Sequence, residues 1–276
     1  MQARWIDLGT MDYADCWQLQ QRLFDELLAA KQLRGANRTG PDRMEHKPDQ
    51  TEQPGPNQTG PDRMEHKPDQ TEQPGPEQGA RKSPPEGIGT ILLVEHPPVY
   101  TLGKSGRAEN LLVDPDRLAQ WGATFFRIDR GGDITFHGPG QLVCYPVLDL
   151  EPLGMGLRDY IEALEECVIR TAADYGVAGG RIAGASGVWI DPAGRTPRKL
   201  CAVGVRSSRY VTMHGFALNV TTDLRWFSRI HPCGFTDRGV CSLATETGTQ
   251  PAMAAVKQRV LQHLAEVLGV EWVAGA

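Results

Sequence analysis

One block of sequence decides where a core can form and where it cannot. NRTGPDRMEHKPDQTEQPGP at 37–56 recurs as NQTGPDRMEHKPDQTEQPGP at 57–76, the copies differing only at Arg38 and Gln58. Each copy is rich in proline and charge, and its one methionine (Met44, Met64) is its only apolar side chain of any size. Such a unit buries too little apolar surface to offset the entropy of ordering it, and two copies are fewer than a stacked repeat array needs. The composition of 35–86 therefore predicts a disordered insertion in a single domain spanning 1–276. His46 and His66 within it read as solvated spacers.

Strong patterns lie on either side. Tyr13, Cys16, Trp17, Leu23, Phe24, Leu27 and Leu28 recur at helical spacing and predict a helix over about 12–33. TILLVEH at 90–96 reads as a buried strand ended by Pro97 and Pro98. VYTLG, ATFFRID, DITFHG, QLVCYPVLDL, GVWI, LCAVGVRSS and VTMHGFALNV follow as strands, β-branched and aromatic in content. Tyr160, Ile161, Leu164, Cys167, Val168, Thr171 and Tyr175 predict a helix over about 156–175, closed by Gly176. A last helix over about 251–268 starts at Pro251 and stops before Gly269. Consecutive strands between helices make the fold class α/β of the α+β kind, a mixed sheet flanked by helices.

Charge and composition exclude several functions. The net charge is −5, of which the duplicated block supplies −3, so nothing global points to nucleic acid. No basic-then-apolar leader opens the chain, and no apolar run approaches the roughly 18 residues of a membrane span. The six cysteines contain no CxxC pair, which predicts reduced thiols in a cytoplasmic protein. His214, His231, Cys233 and Cys241 match no zinc spacing, so no metal is expected. A monomer is the expected state.

Three segments carry unusual chemistry. RGGDITFHGPGQ at 130–141 makes two tight turns, with Arg130 and His137 bracketing one hairpin. It holds no GxGxxG or GxxxxGK[ST], and no helix follows to offer its amino end to a phosphate. RKLCAVGVRSS starts with Lys199, which taken alone reads as a solvated strand-end lysine, and the next strand carries His214 and Gly215. IHPCG sets Cys233 between Pro232, which fixes φ, and Gly234, which lets the chain turn. A buried structural cysteine needs no such frame, whereas a nucleophile presented to a substrate does.

In order, EHPPVYTLG, RGGDITFHGPGQLVCYP, GASGVWI, RKLCAVGVR, MHGFALNV and IHPCG make the chain resemble the lipoyl(octanoyl) transferases over about 5–34 and 88–270. The insertion departs from that pattern. The resemblance implies the single α/β catalytic domain shared by biotin and lipoate protein ligases, and an enzyme without a cofactor. In that family an octanoyl group passes from octanoyl-acyl carrier protein, through a cysteine thioester, to a lysine of a lipoyl domain. Expected acceptors are the lipoyl domains of 2-oxoacid dehydrogenase complexes and the glycine cleavage H protein. Carried over by motif, Cys233 is the acyl acceptor and Lys199 its activating partner. Arg130, Gly131, Gly132, Asp133, Ile134, Thr135, Phe136 and His137 form the acyl-binding loop. Ala202, Val203 and Gly204, with Gly215, Phe216 and Ala217, line the substrate tunnel.

Elementary acid–base chemistry suits those roles. A free cysteine, with a pKa of about 8.5, is only a few per cent thiolate at neutral pH; a lysine amine, at about 10.4, holds the proton more tightly. An ammonium beside the sulfur therefore favours the thiolate. Thioester exchange is nearly isoenergetic and transfer to an amide runs downhill, so no ATP is needed. Strand parity places Phe126, Phe136, Val203, Phe216 and Leu218 in the pocket walls. The alternatives are an ATP-dependent lipoate or biotin ligase on the same scaffold, and a non-catalytic module binding acyl carrier protein or lipoyl domains.

Overall fold

The computed structural model describes residues 1–38, 87–231 and 238–274. The insertion beyond residue 38 and the Pro232-Cys233-Gly234 perch lie outside the described residues.

The buried strand predicted at TILLVEH explains the layering. Strand β2, Gly89–Glu95, follows strand β1, Gln2–Thr10, and helix α1, Tyr13–Arg38. Ile91 and Leu93 enter one core cluster, while Leu92 and Val94 enter another on the opposite face. A strand apolar on both faces requires cover on both.

α1 supplies one cover, placing Cys16 against Leu92, Val94, Val143 and Tyr145, and Phe24 and Leu27 against Val147, Val211 and Met213. The other cover is helix α3, Leu157–Asp174, packed beside helix α5, Met253–Leu268. Tyr160, Leu164 and Val168 of α3, with Val256, Val260 and Leu264 of α5, join Ile91, Leu142 and Phe216 in the largest cluster. Both helices end where expected. Asp159 accepts from the Gly156 amide at the start of α3, and Gly269, with φ of +64°, closes α5.

The remaining strands are β3 Val99–Leu102, β4 Thr124–Arg127, β5 Ile134–His137, β6 Gln141–Leu148, β7 Gly179–Ile182, β8 Ala185–Ile190, β9 Arg198–Ser208, β10 Val211–Asn219, β11 Gly239–Val240 and β12 Glu271–Ala274. The large sheet runs β12-β1-β2-β6-β10-β9-β8-β7, with β11 parallel to β9. β1 is parallel to β12 and β2, and β2-β6-β10-β9-β8-β7 pair antiparallel, so the sheet is mixed. A second sheet, β4-β3-β5, stands apart. Short helices α2, Pro115–Gln120, and α4, Leu243–Thr247, complete the described elements of regular helix.

Two features depart from the sequence expectation, and a third, as expected, carries a cost of its own. β1 and β12 carry little alternation of their own, and they form because each pairs with a segment distant in the chain, Gln2 with Glu271 and Arg4 with Thr90. α1 runs on to Arg38, into the stretch assigned to the insertion. Pro146 sits inside β6, where a proline removes a ladder donor. The Thr212 hydroxyl compensates, donating to the Pro146 carbonyl at 2.9 Å and accepting from the Leu148 amide at 3.1 Å. Among the described residues no helix is long and apolar enough to cross a membrane.

Candidate active site

The glycine-rich loop is tied down from three sides. Lys104 N donates to Arg130 O, and Ser105 N to Gly132 O, zipping the loop to the turn after β3. Gly131 N donates to Val205 O at 3.0 Å, laying the loop across β9. The buried Arg130 guanidinium donates to Thr101 O at 2.8 Å, Thr101 Oγ1 at 3.0 Å and Gly131 O at 3.0 Å. These bonds tie the loop to β3 of the small sheet, while the Gly131 amide ties it to β9 of the large one.

A pocket opens beneath this loop, enclosing about 510 Å³ including its mouth. The loop supplies Arg130, Gly132, Asp133, Ile134, Thr135 and His137. β9 supplies Lys199, Ala202, Val203 and Gly204, and β10 supplies His214, Gly215, Phe216 and Ala217. Tyr13, Val143 and Tyr145 complete it from α1 and β6. The lining is mostly apolar with a few polar groups, the composition of a small-molecule site.

Most residues singled out from the sequence converge there. Gly131 is not among the lining residues, its amide being spent on Val205 O of β9, and Cys233 lies outside the described residues. Phe136 is a correction: β5 gives Thr135 and His137 to the pocket, while the Phe136 ring faces the opposite way, stacked on Trp226 at 5.2 Å and edge-on to Phe227. Of the other expected walls, Val203 and Phe216 hold. Phe126 packs on the Tyr13 ring, and Leu218 joins the core under α3 and α5. Parity fixes which residues share a face, but the pairing of sheets decides which face meets the pocket.

Lys199 is not the solvated lysine its position suggests. It is 8% exposed, with Nζ donating to Ser186 O at 3.3 Å and lying 4.5 Å from the Trp189 ring centroid. The β8–β9 register slips between Val188 and Trp189, which pair with Cys201 and Lys199, so Leu200 is bulged out of the ladder beside it. A second, smaller cavity lined by Thr135, Gln141, Asn219, Phe227 and Val240 also touches Lys199, which thus stands in the wall between two openings.

The polar groups around the pocket are held neutral or paired. His137 Nδ1 meets Gln141 Oε1 at 2.8 Å, and Gln141 Nε2 donates to Asn219 Oδ1 at 2.9 Å. His96 Nδ1 meets Met11 O at 2.7 Å and its Nε2 meets the Tyr145 hydroxyl at 2.9 Å. His214 adopts φ of +62°, a costly value for a histidine. Its amide donates to buried Gln20 Oε1 at 3.2 Å, and its Nε2 lies 2.9 Å from Asp129 Oδ1. That bond, with the nearby Arg206, holds the Asp129 carboxyl below its usual range; burial pushes His214 down. A neutral imidazole donating to a charged carboxylate satisfies both shifts.

Burial also pushes His96 to about 4 and His137 to about 3. Below pH 6.5 the unfolded chain takes up protons at these positions that the folded chain refuses. Stability present above pH 6.5 is therefore lost as pH falls toward about 4, roughly 3 kcal/mol from His96 alone. The thermal midpoint is expected to fall from pH 7 to 4, and His96→Gln to flatten that slope in a melting series. An unchanged slope would assign the loss to other groups.

The architecture matches known catalytic domains. The bipartite lipoate protein ligase of Thermoplasma acidophilum superposes with a TM-score of 0.55 at 18% identity, over 67% of this chain and 73% of that one. A lipoate-protein ligase A bound with ATP superposes at 0.54 and 16% identity, over 67% of this chain and 75% of that one. These likenesses establish the fold. The model of the lipoyl protein ligase A/B catalytic domain matches residues 80–265. The octanoyltransferase of Flavobacterium johnsoniae is 39% identical over 96% of both chains, and that of Bacteroides fragilis strain YCH46 is 58% identical over 64% of this chain and 80% of its own. The chain belongs to the lipoyl protein ligase A/B catalytic-domain family and, within it, to the octanoyltransferases: it is an acyltransferase.

Proposed function

We propose that this acyltransferase takes an octanoyl group from octanoyl-acyl carrier protein, carries it as a thioester on Cys233, and hands it to a lysine amine of a lipoyl domain. The acceptors are the lipoyl domains of 2-oxoacid dehydrogenase complexes and the glycine cleavage H protein. The observation that carries this reading is the buried lysine amine in the wall of an apolar pocket, with Lys199 Nζ fixed by Ser186 O and beside Trp189. An amine kept from bulk water at such a place suits proton transfer.

The steps balance without a co-reactant. The Cys233 thiolate attacks the thioester carbonyl, a carbon–sulfur bond forms, and the pantetheine thiolate leaves with a proton from Lys199. The acceptor amine then attacks the octanoyl-Cys233 carbonyl, the Cys233 thiolate departs, and neutral Lys199 takes up the proton released by the new amide nitrogen. The acyl chain lies along Val203 and Phe216. His137, neutral and bonded to Gln141, shapes the pocket. The ATP-dependent alternative has less support, because the ligases share the fold at 16–18% identity whereas the octanoyltransferases share up to 58%.

Intact-protein mass spectrometry after mixing with octanoyl-acyl carrier protein, without ATP, tests the proposal. One octanoyl adduct is expected on the wild type and none on Cys233→Ser. An unmodified wild type that modifies a lipoyl domain only when octanoate and ATP are supplied would establish the ligase instead.

A further inference from the structure

Glu165 lies on α3, across the β8 strand from the pocket, and is 6% exposed. A carboxylate so deeply placed needs partners on both oxygens. Oε2 accepts from Arg181 Nε at 3.1 Å, and Oε1 accepts from the Gly187 amide at 2.8 Å. That amide belongs to the same peptide unit as the Ser186 carbonyl, which accepts from Lys199 Nζ at 3.3 Å. One planar peptide thus joins a buried carboxylate to the lysine in the pocket wall.

Given the role proposed for Lys199, we infer that Glu165 is a positioning residue for it, acting through the Ser186–Gly187 peptide. A carboxylate accepting from an amide N–H draws negative charge toward that peptide's carbonyl oxygen, and hydrogen bonds in such a chain strengthen one another. The polarised oxygen faces the lysine amine, so it aims Nζ and attracts a positive charge placed there. The peptide itself is tightly constrained. Gly187 has φ of +120°, and a Cβ there would lie 2.4 Å from Cys201 O and 3.6 Å from Lys199 Cε. Only glycine lets the peptide present both its ends, since a side chain would collide with the Cys201 carbonyl.

Arg181 sets how much charge Glu165 offers. Its Nη2 also donates to Glu166 Oε2 at 2.9 Å and to Glu162 O at 3.0 Å, so it is held outside the peptide–lysine line. Removing the Glu165 charge and removing the Arg181 charge should therefore displace Lys199 in opposite directions. A purely structural role for Glu165 predicts no such opposition.

The experiment follows the Lys199 amine by NMR in full-length protein carrying ¹³C at lysine Cε, assigned by the peak lost in Lys199→Arg. In Glu165→Gln, which keeps an acceptor oxygen for Gly187, the titration midpoint is expected about one pH unit lower, a proton held about tenfold less tightly. In Arg181→Gln it is expected to move higher, and Glu165→Asp should return most of the wild-type value. The alkaline limb of the acyl-transfer profile should shift with Glu165→Gln while KM for octanoyl-acyl carrier protein stays unchanged. An unmoved midpoint in both Glu165→Gln and Arg181→Gln overturns the inference. A moved midpoint with unaltered transfer upholds the link to Glu165 and removes Lys199 from the reaction instead.

Discussion

Replacing Lys199 by alanine is expected to slow acylation of the enzyme near pH 7 by about 10²- to 10⁴-fold, the usual worth of a positioned acid–base group. The structural loss is small. The side chain donates to Ser186 O and lies by Trp189, and alanine fits the wall between the two cavities without introducing a charge. The melting temperature should therefore change little. The rate should recover in part as the pH rises past about 8.5, where an unassisted cysteine ionises by itself. Acylation followed by mass spectrometry from pH 6 to 10 decides the matter. Wild-type rates across that range would leave the lysine with no part in the chemistry.

Gly215→Ala is expected to cost about 3 kcal/mol of stability and to lower the melting temperature by roughly 10 °C. A Cβ at Gly215 would lie 2.2 Å from Cys144 O and 2.6 Å from Pro146 Cδ. Neither contact is the far end of a flexible side chain, so relief requires moving β10 away from β6 at the centre of the large sheet. Such a shift also moves Phe216 and Ala217, so acyl transfer should fall alongside the melting temperature. Calorimetry of the variant beside the wild type is the check. A melting temperature within a degree or two would mean that the two strands separate cheaply.

How much of this was legible in the sequence depended on the range of the forces involved. α3 and α5 were legible to within a residue or two, because apolar spacing and terminal glycines are local signals. The apolar run of β2 was equally plain, and its two-sided burial explains the run. β1 and β12 were not legible, since each owes its existence to partners distant in the chain. The loop from Arg130 to His137 was found through its glycines. Its Phe136, however, was assigned to the pocket, and the structure turns that ring toward Trp226. Tyr13 and Tyr145 gave no local signal of a pocket role, and His214 was noted only as a strand residue, because what makes them pocket residues is the packing of α1, β6 and β10 around one space.

The order of motifs alone determined which family the chain belongs to, and local composition set the expectations for the chemistry-bearing residues and for the duplicated block. Covalent neighbours and local spacing suffice for those conclusions. Only the tertiary structure decided that Lys199 is withdrawn from water, that a peptide links it to Glu165, and which face of each strand meets the pocket. Those outcomes depend on strand register and on side chains brought together by folding, and no window along the chain contains both members of such a pair.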